Sequence, residues 1–191
     1  MSYMNYNRYD QPTKLDQKAG TNLDQDLANS RSIRYDNNQM EVKQYLQNIL
    51  KTEFPNLISR KFGQEFGSID LMEILKDGEV LCKLGSLLPK SKFPSNPSSK
   101  FKNSRMPFIQ MENISFFLLA CELIGMPHDE IFQTVDLYES KDPYQVIVTL
   151  MSFSRIVNQI DSLIFPVVIG PKSSRVKPPV PNKPFKLRDG K

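Results

Sequence analysis

The sequence predicts an all-α protein: a compact helical bundle around one central buried helix, with disordered N- and C-terminal tails. Apolar residues recur at helical spacing in several segments, and no segment alternates with the two-residue period of a strand. The segment from Phe116 to Ile124 is apolar on every side except at Glu122, which is typical of a helix enclosed by other helices. Both ends of the chain are polar or proline-rich and lack a helical period.

The first predicted helix spans about 39–51. Residues 1–37 are rich in Asn, Gln, Asp and Tyr, and we expect this N-terminal segment to be mostly disordered. Asn38 and Glu41 have the spacing of a helix N-cap and its capping-box partner. The stripe at i, i+3, i+4, i+7 and i+8 consists of Val42, Tyr45, Leu46, Ile49 and Leu50.

Two short apolar helices and a basic loop are predicted next. Ser68 is placed to cap a helix that reaches Leu75, the Asp77-Gly78 pair breaks it, and a second run ends before Pro89. Residues 89–107 contain four prolines and five serines, which argues against regular structure. The loop carries five cations and no acidic residue; they are Lys90, Lys92, Lys100, Lys102 and Arg105.

The central helix is predicted at about 108–124, and Gly125 and Pro127 mark its end. The last helix, to about 161, has a well-defined start. Asp142 is a favoured N-cap, Pro143 a favoured first residue, and Gln145 can complete a capping box. The predicted domain is therefore 38–164.

Residues 165–191 form a basic, proline-rich tail in this interpretation. The stretch from 165 has six prolines and no helical period. Residues 171–191 carry seven Lys or Arg and one Asp, a net charge of +6, whereas residues 1–170 carry 18 basic and 20 acidic residues, a net charge of −2. A nearly neutral domain with a cationic tail indicates an anionic partner.

The sequence argues against catalysis, a metal site and a cofactor. The single histidine, His128, lies in a predicted loop and is more typical of a surface residue than of a general base. Phosphate-loop, dinucleotide and zinc-protease motifs are missing, and Asp136, Glu139 and Asp142 lack the spacing of a calcium loop. Cys82 and Cys121 are expected to pack as small apolar side chains in a reducing compartment. We found neither a signal-peptide pattern nor an apolar run long enough to span a bilayer, and we expect a cytoplasmic protein.

Three long motifs in register closely resemble the calponin homology (CH) domain of the transgelin and calponin family. They are DLMEILKDGEVLCKL, SRMPFIQMENISFFLLACELIGMP and IFQTVDLYESKDPYQVIVTL, within residues 38–160. The single domain resembles that of transgelins and calponins, and the short chain is similar in length to the fungal transgelin-like proteins. The resemblance implies a helical bundle around one buried helix.

Two positions depart from the family pattern. The family usually has a tryptophan in the first helix where this chain has Tyr45, which can fill the space if its hydroxyl reaches a partner or the surface. The glycine-rich repeat that follows the domain in calponins and many transgelins is not found, since only Gly170 and Gly190 lie beyond residue 165. Whatever that repeat does cannot be transferred to this sequence.

The resemblance implies a protein that binds and cross-links or stabilises actin filaments at the cortical cytoskeleton. Filaments are acidic, so we expect the cationic tail to carry the contact and the basic loop to assist it. The alternative for the tail is a merely solubilising extension. The tail residues expected to bind are Lys172, Arg175, Lys177, Lys183, Lys186 and Arg188.

A second hypothesis is an adaptor that recruits SH3-domain proteins. Arg175, Pro178 and Pro181 fit a basic-x-x-P-x-x-P ligand, and Pro178, Pro181 and Lys183 fit the reverse orientation. A membrane-surface or nucleic-acid binder is less favoured, because the tail has neither an amphipathic helical period nor interleaved aromatic residues beyond Phe185.

Overall fold

The computed structural model describes residues 16–63 and 67–171, with side chains from residue 23 onward, and this part of the chain is helical without a strand. The predicted all-α class is therefore confirmed. Short 3-10 turns cover Pro97–Lys100 and His128–Glu130. The α-helices are α1 (Asp16–Leu50), α2 (Pro55–Phe62), α3 (Leu71–Leu75), α4 (Glu79–Ser86), α5 (Pro107–Leu123), α6 (Thr134–Tyr138) and α7 (Pro143–Ile160).

Helix α5 supplies the centre of the core, as the sequence predicts. It packs against α4, α6 and the first 3-10 turn, while α1 lies along α7. The ring of Phe117 meets that of Phe153 on α7 with centroids 5.3 Å apart. The opposite face of α5 is not enclosed, because Leu119 and Leu123 keep 47% and 43% of their surface exposed. The expectation that α5 has no solvent-facing side is therefore wrong at these two leucines.

Helix α1 begins at Asp16, far upstream of the predicted start near residue 39. The expectation of disorder is wrong for residues 16–37, and residues 1–15 lie outside the described part. Polar contacts hold the extension: Arg31 pairs with Asp142 at 2.8 Å, and the Arg34 guanidinium lies 5.9 Å from the centre of the Tyr144 ring. The Tyr35 hydroxyl donates to Asp70, which caps α3.

Neither of the first two predicted N-cap residues, Asn38 and Ser68, is the N-cap of its helix in the structure. Asn38 is not an N-cap but lies inside α1, where its side-chain amide donates to the Arg34 carbonyl at 2.6 Å. The first short helix begins at Leu71, and its N-cap is Asp70 rather than Ser68; the Asp70 carboxylate accepts from the Met72 amide at 3.4 Å. The predicted break is confirmed, since Gly78 begins α4 with a left-handed φ of 72°.

Tyr45, expected at the position of the family's tryptophan, is buried, and its hydroxyl reaches neither a partner among the described residues nor the surface. The residue is 2% exposed, and its oxygen has no hydrogen-bond partner among the described residues. Burial raises the pKa of Tyr45 above its ordinary value. A buried hydroxyl without a partner costs stability because it gives up its bonds to water.

Residues 165–170, expected to begin the tail, pack on the domain instead. Phe165 and Ile169 are buried, and the Phe165 ring meets the edge of Phe153 at 6.1 Å. The Ile169 amide donates to the Ser154 hydroxyl at 3.1 Å. We call residues 161–171 the strap, since they connect α7 to the basic tail.

Candidate functional site

The six tail cations predicted to bind lie in residues 172–191, outside the described part of the chain. The strap shows where this segment starts. The Gly170 amide donates to the Glu41 carboxylate on α1 at 3.3 Å, and Gly170 adopts a φ of 83° directly over Met151 of α7. A Cβ at Gly170 would lie 2.6 Å from the Met151 sulfur, so the backbone approaches closely here. The tail therefore starts beside the middle of α7.

The predicted basic loop is a surface feature whose cations are all exposed. Two of them have intramolecular partners: the Lys92 ammonium donates to the Ile160 carbonyl at the end of α7 at 2.8 Å, and Lys102 pairs with Glu112 at 2.9 Å. Lys90, Lys100 and Arg105 make no ion pair with any described residue. These three cations can therefore bind an anionic surface without breaking a contact.

Two buried asparagines fix the loop, a role that the sequence interpretation missed. Asn113 of α5 accepts from the Lys102 amide at 3.0 Å and donates to the Lys102 and Asp77 carbonyls at 2.8 and 3.2 Å. Asn96 caps the 3-10 turn at Ser98 and donates to the Gly85 carbonyl at 2.7 Å. Asn113 could have been noticed in the sequence, because a polar residue on the buried face of an apolar helix indicates a structural hydrogen bond.

The structure adds Lys83 of α4 to the basic surface. Its ammonium lies 5.2 Å from the centre of the Phe54 ring and 5.3 Å from that of Phe101, which belongs to the loop. These residues line an open crevice of about 380 Å³ together with Lys90. We use the name basic face for Lys83 and Lys90, which line this crevice with Glu53, together with the exposed loop cations Lys100 and Arg105. Sequence inspection missed Lys83 because it lies in an apolar helical run.

The remaining polar candidates have structural roles. Asp142 caps α7 as predicted, accepting from the Gln145 amide at 3.2 Å. The Gln145 side chain does not complete the capping box but donates to the Asp129 carbonyl at 3.1 Å. Asp136, expected to be merely solvated, forms a capping box with Gln133 at the start of α6.

The cysteines and histidine form no reactive centre in the described residues. Cys82 and Cys121 are buried and free, as expected of small apolar side chains. Burial raises the pKa of Cys82 from 9.0 to about 12 and that of Cys121 further, which keeps both thiols protonated. His128 is exposed. The described residues contain no cluster of His, Cys, Asp or Glu placed to hold a metal ion.

Across the described residues, no helix combines the length and the apolar character needed to cross a membrane.

Comparison with known proteins places this fold in a defined family. The model of the calponin homology (CH) domain matches residues 39–159. A transgelin of Saccharomyces cerevisiae is 40% identical over 178 residues, which are 92% of this chain and 84% of that protein. A transgelin of Schizosaccharomyces pombe is 35% identical over 59% of this chain and 61% of its own length. Myophilin of Echinococcus granulosus is 46% identical over 52% of this chain and 50% of its own length.

Proposed function

The chain belongs to the calponin homology family and is transgelin-like, and from this premise we propose that it is an actin-filament-binding protein of the cytoskeleton rather than an enzyme. The domain, which we place at residues 38–164 with the start of α1 and the strap packed against it, presents the basic face, and the tail supplies further cations. One observation carries the structural side of the proposal: Lys90, Lys100 and Arg105 are exposed, form no ion pair with a described residue and belong to a loop that buried asparagines fix.

A fixed basic loop supports filament binding for an energetic reason. A filament contact made of many weak charge pairs gains from cations whose positions are already set, because less conformational entropy is lost on binding. Filaments are acidic, so such a surface also raises the association rate. Binding of this kind weakens as salt rises, because exposed charges are screened over about 10 Å at 0.1 M salt.

Co-sedimentation of the full chain with actin filaments over a salt series tests the basic face. The variant Lys90→Gln/Lys100→Gln should bind more weakly and with a smaller salt dependence. A matched control, Lys76→Gln/Lys141→Gln, changes the net charge equally at exposed positions outside the basic loop and its crevice. Equal losses in both variants would show that only net charge matters and would remove the basic face from the contact.

Cross-linking of filaments is part of the proposal and requires two contacts on one molecule. The basic face and the tail are separable candidates, because the tail starts at the middle of α7 while Lys92 marks the loop at the end of α7. Low-speed sedimentation, which collects bundles only, should lose the pellet in either the loop or the tail variant while single-filament binding persists. If bundling persists when either the basic face or the tail is neutralised, these two surfaces are not the pair that links one filament to another.

A second candidate function is the recruitment of SH3 domains by the tail. Its support is the proline pattern at Arg175, Pro178, Pro181 and Lys183, since prolines pre-form the extended conformation that SH3 grooves bind. A tail peptide titrated into SH3 domains of cytoskeletal proteins should shift groove resonances, and Pro178→Ala/Pro181→Ala should abolish the shift. A wild-type peptide that causes no shift at millimolar concentration would eliminate this candidate.

For the localisation we propose the cortical actin cytoskeleton.

A further inference from the structure

An acidic groove lies at the start of α7 and shares no lining residue with the crevice at Lys83 and Lys90. It encloses about 540 Å³ between the second half of α5, the turn His128–Glu130 and the first turns of α6 and α7. Among the described residues, four carboxylates and no Lys or Arg line it; the carboxylates belong to Glu122, Asp129, Asp136 and Asp142.

Two of these carboxylates are already used, and two are available. Asp136 caps α6, while Asp142 caps α7 and pairs with Arg31. Glu122 and Asp129 are exposed, and neither forms an ion pair with a described residue. The groove is thus an anionic surface with uncompensated charge.

Apolar side chains accompany the charge. Leu118 and Ile131 line the groove, and the exposed Leu119 and Leu123 lie next to Leu118 and Glu122 on α5. An occupant that matches this surface carries several cations interspersed with apolar residues. Prolines suit it as well, since an extended segment with pre-set dihedrals loses little entropy on binding.

We propose that this groove binds the chain's own tail, residues 172–191, in the free protein. The tail has the matching composition, with seven Lys or Arg and one Asp beside Val176, Val180, Phe185 and Leu187. The tail starts beside Met151 at the middle of α7, and the groove lies at the start of the same helix. The like charge of the basic face repels the tail, and the carboxylates of the groove attract it.

The tail is long enough to reach the groove. Met151 lies nine positions after Asp142 on α7, which is about 14 Å along the helix axis. The 20 residues that follow Pro171 span about 60 Å when extended at about 3.1 Å per residue. A contact within one molecule therefore needs no rearrangement of the strap.

The contact has a consequence that rests on the proposed function. Cations held in the groove are not available to a filament, so the groove would lower the affinity of the free protein. If the groove holds the tail in about four of five molecules, releasing it raises the apparent affinity for filaments about fivefold.

A spin label on the tail of the full chain tests the contact without actin. The label is placed at Gly190→Cys; Cys82 and Cys121 are buried and stay unlabelled. Amides of Gln133 and Thr134 in the groove should lose more intensity than those of α3. The neutralised groove, Glu122→Gln/Asp129→Asn, should abolish this loss, whereas the control Asp24→Asn/Glu73→Gln, at exposed positions that line neither the groove nor the crevice, should keep it.

Three outcomes would overturn the proposal. One is no selective loss of intensity at the groove, and another is a loss that the groove and control variants share. The third concerns a mixture of isotope-enriched chains without a spin label and spin-labelled chains. If the groove resonances of the isotope-enriched chains broaden in this mixture, the tail binds a second copy. Filament co-sedimentation of the two double variants is separate: a confirmed groove contact with equal filament affinities would refute the proposed tail function and leave the contact standing.

Discussion

The substitution Tyr45→Phe should stabilise the protein, although it removes a polar group from a buried tyrosine. The Tyr45 hydroxyl has no hydrogen-bond partner among the described residues and is cut off from water. Leaving such a group unsatisfied costs about 1–3 kcal/mol. The small void left by the oxygen, about 10 Å³, costs only about 0.2 kcal/mol at about 24 cal/mol per Å³. The net gain in the free energy of unfolding is therefore about 1 kcal/mol.

Thermal and urea denaturation of the full chain measure this gain. For a chain of this length, 1 kcal/mol corresponds to a rise in Tm of about 2–4 °C. The urea midpoint should rise without a change in the m-value, because the surface exposed on unfolding is almost the same.

Tyr35→Phe is the matched control, since it removes the same atom from a hydroxyl that has a partner. The Tyr35 hydroxyl donates to the Asp70 carboxylate, and a hydrogen bond to a charged group contributes about 1.5–3 kcal/mol. This variant should lose stability while Tyr45→Phe gains it. A loss of about 1 kcal/mol or more in Tyr45→Phe would show that the hydroxyl has a partner and would refute the account of this site.

Three further predictions concern the core and the strap. Phe117→Ala should lower the free energy of unfolding by about 3–5 kcal/mol. Leu119→Ala, on the exposed side of α5, should change it by only about 0.5 kcal/mol. Equal urea midpoints of the two variants would contradict the burial pattern. Phe165→Ala should cost about 3–5 kcal/mol by the same measurement, because the strap belongs to the core, and an unchanged midpoint would make it part of a free tail. The buried thiols of Cys82 and Cys121 have raised pKa values, so each contributes stability that is complete below pH 9.0 and falls by about 1.4 kcal/mol per pH unit above it. Urea titrations at alkaline pH should show a smaller decline for Cys82→Ala/Cys121→Ala; an identical decline would refute this origin.

The helices of the bundle could be predicted because their apolar residues repeat at the helical period. The run Phe116 to Ile124 indicated the centre of the core, and Asp142-Pro143 indicated the start of α7 with its cap. Such signals are local, so a single sequence contains them.

The extension of α1 could not be predicted in this way. Leu23 and Leu27 are exposed, and what stabilises this part is contact with distant residues, such as Arg31 with Asp142 and Tyr35 with Asp70. Ion pairs and hydrogen bonds between elements far apart in sequence leave no periodic pattern. Tertiary contacts therefore decided a segment whose composition resembles a disordered one.

The packing of the strap and the fixed position of the basic loop were missed for related reasons. Phe165 and Ile169 lie among prolines and glycine, and their apolar neighbours show no helical period. Both residues nevertheless pack on α7. Asn113 lies in an apolar helix, so its role was not apparent from the sequence. Its three hydrogen bonds, two with Lys102 and one with Asp77, form only in the folded chain. The composition of the basic loop was visible in the sequence, but its fixed position was not.

Filament co-sedimentation of the full chain, with and without tail charge, tests the central claim most directly. The tail variant replaces six cations with glutamine and leaves the strap intact; they are Lys172, Arg175, Lys177, Lys183, Lys186 and Arg188. We expect the wild type to bind filaments at low salt and to dissociate as salt rises, and the tail variant to bind more weakly and with a smaller salt dependence, through the basic face alone. Equal binding of both proteins across the salt series would contradict the claim that the basic tail carries the filament contact.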